Sequence, residues 1–152
     1  MTDPPDLDDR DLALAGGTTR TKVAGLFIAM TGVVSVVVAV QVLTSVRILS
    51  WVRWLPPGMI ALGAVVTVLG GGITRARDTA ASMGLVLVPL LAILDAVWLY
   101  VSFRGGFYSL MCLFSVPFGL ASSALVIAAL GDCERASEAR RNLAKSGLDL
   151  GL

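Results

Sequence analysis

The chain has 152 residues, of which 56% are hydrophobic and 15% are charged, with a formal net charge of +1 and no histidine. An ordinary soluble domain carries about 25% charged residues, so the apolar excess must face lipid rather than water. The near-neutral charge argues against a nucleic-acid-binding surface, and the lack of histidine excludes mechanisms that need an imidazole.

Residues 1–22 form an acidic N-terminal tail. It contains five aspartates, an adjacent proline pair and an adjacent glycine pair, a composition that cannot bury a core. We predict a disordered tail, in which a short helix over residues 7–14 is an alternative. The tail lacks the basic start of a signal peptide, and the apolar run that follows is longer than a signal core, so we expect the first span to be retained.

Four apolar runs follow the tail. A bilayer core of about 30 Å requires about 20 helical residues, and each run approaches or exceeds that length. We predict an all-α membrane protein with four transmembrane helices in an antiparallel up-down bundle with short loops. The predicted spans are residues 23–46, 55–73, 79–103 and 107–131.

Residues 132–152 mix acidic and basic side chains with strong helix formers, so we predict a cytoplasmic helix and tail that continue from the fourth span. Most of the twelve basic residues lie in the two terminal segments and the middle turn, whereas Arg47, Arg53 and Arg104 lie in the other two loops. The positive-inside rule then places both termini in the cytoplasm, and we expect a bacterial inner membrane.

Small residues define one face of the third span and one face of the fourth. Close approach at small residues holds helices together in lipid, whereas large aliphatic side chains face the lipid. We therefore predict antiparallel packing of the third and fourth spans through these faces. The third-span face contains Asp95 with Ala80, Ala81, Gly84, Val88, Ala92 and Ala96, and the fourth-span face contains Cys112, Ser115, Gly119, Ser122 and Ser123.

The first two spans also carry small residues at helical spacing. Gly63, Thr67 and Gly71 form a small-residue seam on the second span. The first span has a small face made of Gly25, Ala29, Gly32, Ser35 and Ala39, but Gln41 lies on the opposite side. Either this helix is buried on two sides, or its second side meets another chain; a lipid-exposed amide is the least favourable option.

Asp95 is the only acid within the predicted spans. A carboxylate near a helix centre costs about 2.5–3.5 kcal/mol on insertion scales, which indicates pairing or function. Tyr108, Ser109 or, through a water molecule, Ser115 could donate to it. Arg47 or Arg53 could also reach it from the neighbouring loop, whereas Arg104 would have to fold back along its own helix.

Two interpretations of Asp95 stay open. In the first, it is an interhelical contact in a non-enzymatic protein that serves as an oligomeric or accessory component of a membrane assembly. In the second, it binds a proton or cation in an oligomeric channel or transporter, although no second acid or base lies in a span. A third possible function, lipid binding or sensing, would leave no recognisable pattern in the sequence.

The expected partners are the lipid bilayer and either a second copy or a larger membrane protein, without nucleic acid or cofactor. Cys112 and Cys133 lie far apart and form no CxxC motif, which argues against a disulfide framework, a zinc site or a thiol oxidoreductase. The sequence also lacks a GxSxG motif and a phosphate-binding loop, so we expect no enzymatic activity.

Overall fold

Five α-helices make up the described part of the chain. The computed structural model describes residues 9–45, 53–105 and 110–145, and their side chains over 12–43, 53–104 and 113–145. The four long helices pack against one another, and each is long and apolar enough to cross a membrane. The prediction of an all-helical protein with four candidate spans is thus confirmed. The helices are α1 (Asp9–Ala15), α2 (Thr19–Ser45), α3 (Leu55–Thr74), α4 (Asp78–Gly105) and α5 (Leu110–Lys145).

The outer surface of these four helices is apolar. Large hydrophobic side chains are exposed on every one of them, among them Leu26, Val68, Val86 and Ile127. Contiguous apolar surface on this scale is unusual for a soluble monomer and is typical of protein that faces lipid. The four helices therefore suggest a multi-pass membrane protein.

The described part of the N-terminal segment contains a short helix close to the predicted alternative over residues 7–14. α1 forms within the region expected to be disordered, and α2 begins at Thr19 rather than at residue 23. Ala15 at the end of α1 is fully buried, and α1 packs against α5. Composition alone could not show this order, because the surface that covers α1 comes from a segment more than a hundred residues later.

The turn between α1 and α2 is fixed by contacts with two other parts of the chain. Gly17 has φ +76°, and a Cβ atom there would lie 2.8 Å from the Cβ of Ala76. The Thr18 side-chain oxygen accepts the backbone N–H of Thr21 at 3.3 Å, and its hydroxyl donates to Asp132 at 2.9 Å. Thr18 therefore caps the start of α2 and links it to α5.

α5 is one continuous helix of 36 residues. At 1.5 Å per residue it is about 54 Å long, which exceeds a hydrocarbon thickness of about 30 Å. Its charged part, beyond Gly131, therefore extends past the apolar part of the bundle. This extension supplies the surface on which α1 packs.

Arg140, on the extension of α5, joins the C-terminal ends of two other helices. Its guanidinium donates to the backbone carbonyl of Ala15 at 2.9 Å, of Arg75 at 2.6 Å and of Ala76 at 3.3 Å. Carbonyl groups at helix C-termini are unpaired within the helix and carry partial negative charge. One arginine therefore satisfies carbonyls at the ends of both α1 and α3.

The end of α3 has the hydrogen bonds of a Schellman motif. The N–H of Ala76 bonds to the carbonyl of Ile73 at 2.8 Å, and the N–H of Arg77 bonds to that of Gly72 at 3.1 Å. Ala76 occupies the left-handed position with φ +50°, where glycine is usual. Its methyl group is fully buried against Gly17, so packing offsets the backbone strain.

α2 and α3 approach each other through their glycines. A Cβ atom on Gly32 would lie 2.5 Å from the carbonyl oxygen of Gly63, and one on Gly70 would lie 2.6 Å from that of Gly25. Backbones can come this close only where side chains are absent. From one contact to the next, the residue number increases in α2 and decreases in α3.

One member of the predicted α3 seam is different. Gly63 and Thr67 face α2, whereas Gly71 is exposed and a Cβ atom on it would meet nothing within 4 Å. Gly70 takes the predicted place of Gly71. The contact repeats after seven residues, two helical turns, which keeps it facing α2 along the crossing.

The predicted small faces of α4 and α5 meet at Ala92 and Gly119, whereas Asp95 and Ser122 on the same faces form hydrogen bonds with α2. A Cβ atom on Gly119 would lie 2.8 Å from the Cβ of Ala92, and one on Gly84 would lie 3.4 Å from a methyl group of Val126. The predicted small face of α4 is buried apart from Ala96, and most of the opposite large side chains are exposed. Helical periodicity therefore identified the buried side of this helix.

Gly32→Ala should destabilise the bundle, because the new methyl group must force α2 away from the Gly63 carbonyl. Overpacking of this kind costs about 1–3 kcal/mol. Thermal unfolding of the purified protein in detergent measures the effect. Gly71→Ala is the matched control and should be neutral or slightly stabilising, since that position is open. Equal melting temperatures for both variants would contradict the close approach.

Candidate functional site

Asp95 lies within the bundle, on the buried face of α4. Leu91, Ala92 and Trp98 share this face at helical spacing, and Asp95 is only 1% exposed. Pairing or hydrogen bonding is needed to offset the cost of taking a carboxyl group out of water. The contacts of Asp95 therefore determine what the group can do.

The hydrogen-bond partner of Asp95 is Ser35 on α2. The Ser35 hydroxyl donates to Oδ2 of Asp95 at 2.8 Å, and both side chains are buried. The sequence placed Ser35 on the small face of α2 but did not connect it with Asp95. Helical periodicity shows only the side of a helix toward which a residue points. Ser35 and Asp95 lie at the same level along the bundle because of the way in which α2 and α4 cross.

The donors considered from sequence lie elsewhere or outside the described residues. Ser115 is buried on α5, and Arg53 is exposed at the start of α3. The Arg104 guanidinium lies 5.5 Å from the centre of the Tyr100 ring, on its own helix. The hydrogen bond to Oδ2 of Asp95 comes from Ser35. Arg47 and Tyr108 lie outside the described residues.

A second buried hydrogen bond lies one turn from Ser35 on α2. The hydroxyl oxygens of Thr31 and Ser122 are 2.6 Å apart, and Thr31 also donates to the carbonyl of Phe27 at 3.0 Å. Because a hydroxyl has one proton, Ser122 must be the donor to Thr31. Two neighbouring turns of α2 therefore hold α4 and α5 by polar contacts.

Two polar atoms near this site lack a hydrogen bond. Among the described residues, Oδ1 of Asp95 and Nε1 of Trp98 are buried and unpartnered. A carboxyl oxygen accepts and an indole N–H donates, so the two groups have complementary chemistry. Trp98 follows Asp95 by one turn and packs against Val38 and Met59. This pair of atoms is the part of the site that can still bind a polar partner.

Within the described residues, no group of three or more His, Cys, Asp or Glu side chains is placed to hold a metal ion. Cys133 is buried on the extension of α5, beyond the apolar part of the bundle. Burial, reinforced by the neighbouring carboxylate of Asp132, raises the pKa of its thiol to about 11. The thiol is therefore protonated at pH 7 and acts as a small apolar side chain.

Gln41 is exposed on the surface of α2. Its neighbours on that surface, Val37 and Val40, are exposed hydrophobic residues. The structure thus places this amide on an outward apolar stripe, away from the face that packs on α3. Within one chain, α2 packs on both α3 and α5, but the side of α2 with Gln41 is exposed.

Comparison of the chain with protein-family models, with curated proteins and with solved structures gave no match.

A double-mutant cycle tests the contact between Ser35 and Asp95. Ser35→Ala and Asp95→Ala each remove the contact, and they should be coupled by about 0.6 kcal/mol, with about 1.7 kcal/mol as the upper end for interhelical hydrogen bonds in a membrane protein. Unfolding in detergent supplies the four stabilities. Ser123→Ala is the control because its hydroxyl donates to the carbonyl of Gly119 in its own helix. If the coupling energy between Ser35 and Asp95 is no larger than that between Ser123 and Asp95, the contact does not hold the two helices together.

Proposed function

We propose that this chain is a small non-enzymatic integral membrane protein that acts as an oligomeric or accessory component of a membrane assembly. The observation that carries the proposal is the 2.8 Å hydrogen bond from Ser35 to Asp95. It uses the only acid within the predicted spans as a contact between two helices. In some proteins, buried polar contacts fix helix register and specificity instead of adding stability.

The four spans cross the membrane in an up-down arrangement, with both termini in the cytoplasm of a bacterium. The proposal is supported by contacts in opposite order along α2 and α3, and along α4 and α5. It is also supported by the concentration of basic residues in the N-terminal segment, the turn after α3 and the end of α5. Arg75, Arg77 and Arg140 accordingly lie on the cytoplasmic side.

Self-association occurs through the outward stripe of α2 that contains Gln41. A glutamine amide carries two N–H donors and an acceptor oxygen, so it can bond to a second copy of the same stripe in addition to contacts within its own chain. The flanking Val37 and Val40 side chains are exposed and can pack beside the amides. A two-fold dimer would bring the two Gln41 side chains together.

Gln41→Leu should weaken self-association, because it removes the polar contact while leaving an apolar surface that lipid can cover. Light scattering of the purified protein in detergent, over a dilution series, measures the mass. Val86→Leu, on the exposed surface of α4 and outside this stripe, is the control and should leave the mass unchanged. An oligomer that survives dilution equally well in the Gln41→Leu variant and in the wild type would contradict this interface.

A second candidate function is favoured by one observation. Oδ1 of Asp95 and Nε1 of Trp98 are buried without hydrogen bonds among the described residues. Intramembrane acids with free coordination capacity often bind protons or cations. The alternative is therefore an oligomeric channel or transporter for an ion or small solute, in which Asp95 is the binding group.

Asp95→Asn separates the two functions. An amide can still accept the Ser35 hydroxyl, so the structural role predicts a folded protein with unchanged stability and unchanged proton or cation flux in liposomes. Glu134→Gln, an exposed acid outside the apolar region, is the charge-matched control. If wild-type liposomes show a flux that Asp95→Asn alone abolishes with folding intact, the channel or transporter interpretation replaces the structural one.

A further inference from the structure

A groove lies beside the turn that joins α3 to α4. Its volume is about 390 Å³, and its wall combines apolar side chains with two arginines, Arg75 and Arg77. The turn lies where both apolar helices end, since α3 ends at Thr74 and α4 begins at Asp78. In a membrane this is the level of the lipid phosphates.

The charges of Arg75 and Arg77 are not neutralised by the protein around them. Both side chains are exposed, and neither forms an ion pair with a described acid. The nearby acid Asp78 is 3.8 Å from the guanidinium of Arg141, and Asp132 faces Arg135 at 3.9 Å. Asp78 and Asp132 thus lie beside arginines of α5, and the positive charges of Arg75 and Arg77 border the groove.

The apolar part of the groove is shaped by missing side chains. Gly71 and Gly72 form part of its wall, and a Cβ atom on Gly71 would meet nothing within 4 Å. Val68 and Met83, which flank it on α3 and α4, are 75% and 59% exposed. The result is a groove whose apolar end opens to the lipid side.

We propose that this groove binds an anionic phospholipid. The phosphate lies between the guanidinium groups of Arg75 and Arg77, and one acyl chain lies along Gly71 between Val68 and Met83. Arginine donates in a planar fork that suits phosphate oxygens, and the first turn of α4 contributes the positive end of a helix. This site rests on the proposed membrane location, with the turn in the cytoplasmic leaflet, where anionic lipids are concentrated.

Native mass spectrometry of the full chain in detergent tests the site by titration with phosphatidylglycerol and with phosphatidylcholine of the same acyl chains. The wild type should bind phosphatidylglycerol more tightly than phosphatidylcholine. The double variant Arg75→Gln/Arg77→Gln should lower that apparent affinity about tenfold or more, since each arginine near an anionic headgroup contributes separately. Arg135→Gln/Lys145→Gln removes the same charge from the same end and should change the affinity less than about twofold.

The acyl-chain contact is tested with the arginines intact. Gly71→Leu fills the groove and should weaken binding of the lipid, whereas Gly131→Leu, an equally open position on α5, should not. Equal affinities for the arginine double variant and its control would overturn the proposal. So would full displacement of the lipid by inorganic phosphate together with no effect of Gly71→Leu, which would indicate a simple anion site.

Flotation with neutral phosphatidylcholine vesicles separates this proposal from the membrane assignment. Wild type and all four variants should float with the vesicles, because insertion depends on the apolar spans rather than on the arginines. Chains that do not float would overturn both proposals together. Chains that float but show no preference for phosphatidylglycerol would overturn the lipid site alone.

Discussion

The backbone of α2 comes so close to α3 that a methyl group on Gly32 would lie 2.5 Å from the carbonyl oxygen of Gly63. In lipid no hydrophobic drive brings helices together, so such contacts and interhelical hydrogen bonds must hold the bundle. The same helix supplies both kinds, because Thr31 and Ser35 bond to Ser122 on α5 and to Asp95 on α4. α2 therefore contacts α3 through its glycines, and α4 and α5 through hydrogen bonds.

A different interaction organises the charged end of the bundle. Arg140 donates to carbonyls at the ends of α1 and α3, and Thr18 at the start of α2 donates to Asp132 on α5. The extension of α5 thus binds the termini of three helices, away from the lipid. It also places Arg141 near Asp78 and Arg135 near Asp132, whereas Arg75 and Arg77 form no ion pair with a described acid. The lipid site that we propose rests on these two arginines.

Among the described residues, Oδ2 of Asp95 has a hydrogen bond and Oδ1 has none. Its bond to Ser35 explains why a carboxyl group is tolerated on a packed face, and that is the role we propose for it. Its second oxygen has no hydrogen bond among the described residues, and it is the acceptor on which a proton- or cation-binding role would depend. Both roles depend on the packing that brings Ser35 on α2 next to Asp95 on α4.

The sequence by itself determined the class of protein, the four apolar helices and the buried side of α4, because length, hydropathy and helical period are local properties. It could not determine the partner of Asp95, the use of Gly70 in place of Gly71, or the order of residues 9–22. Each of these features depends on which residues from distant parts of the chain lie at the same level of the bundle. That level is determined by how the helices cross. The hydrogen bond from Ser35 is therefore a product of tertiary structure, although the sequence had placed both of its residues on buried faces.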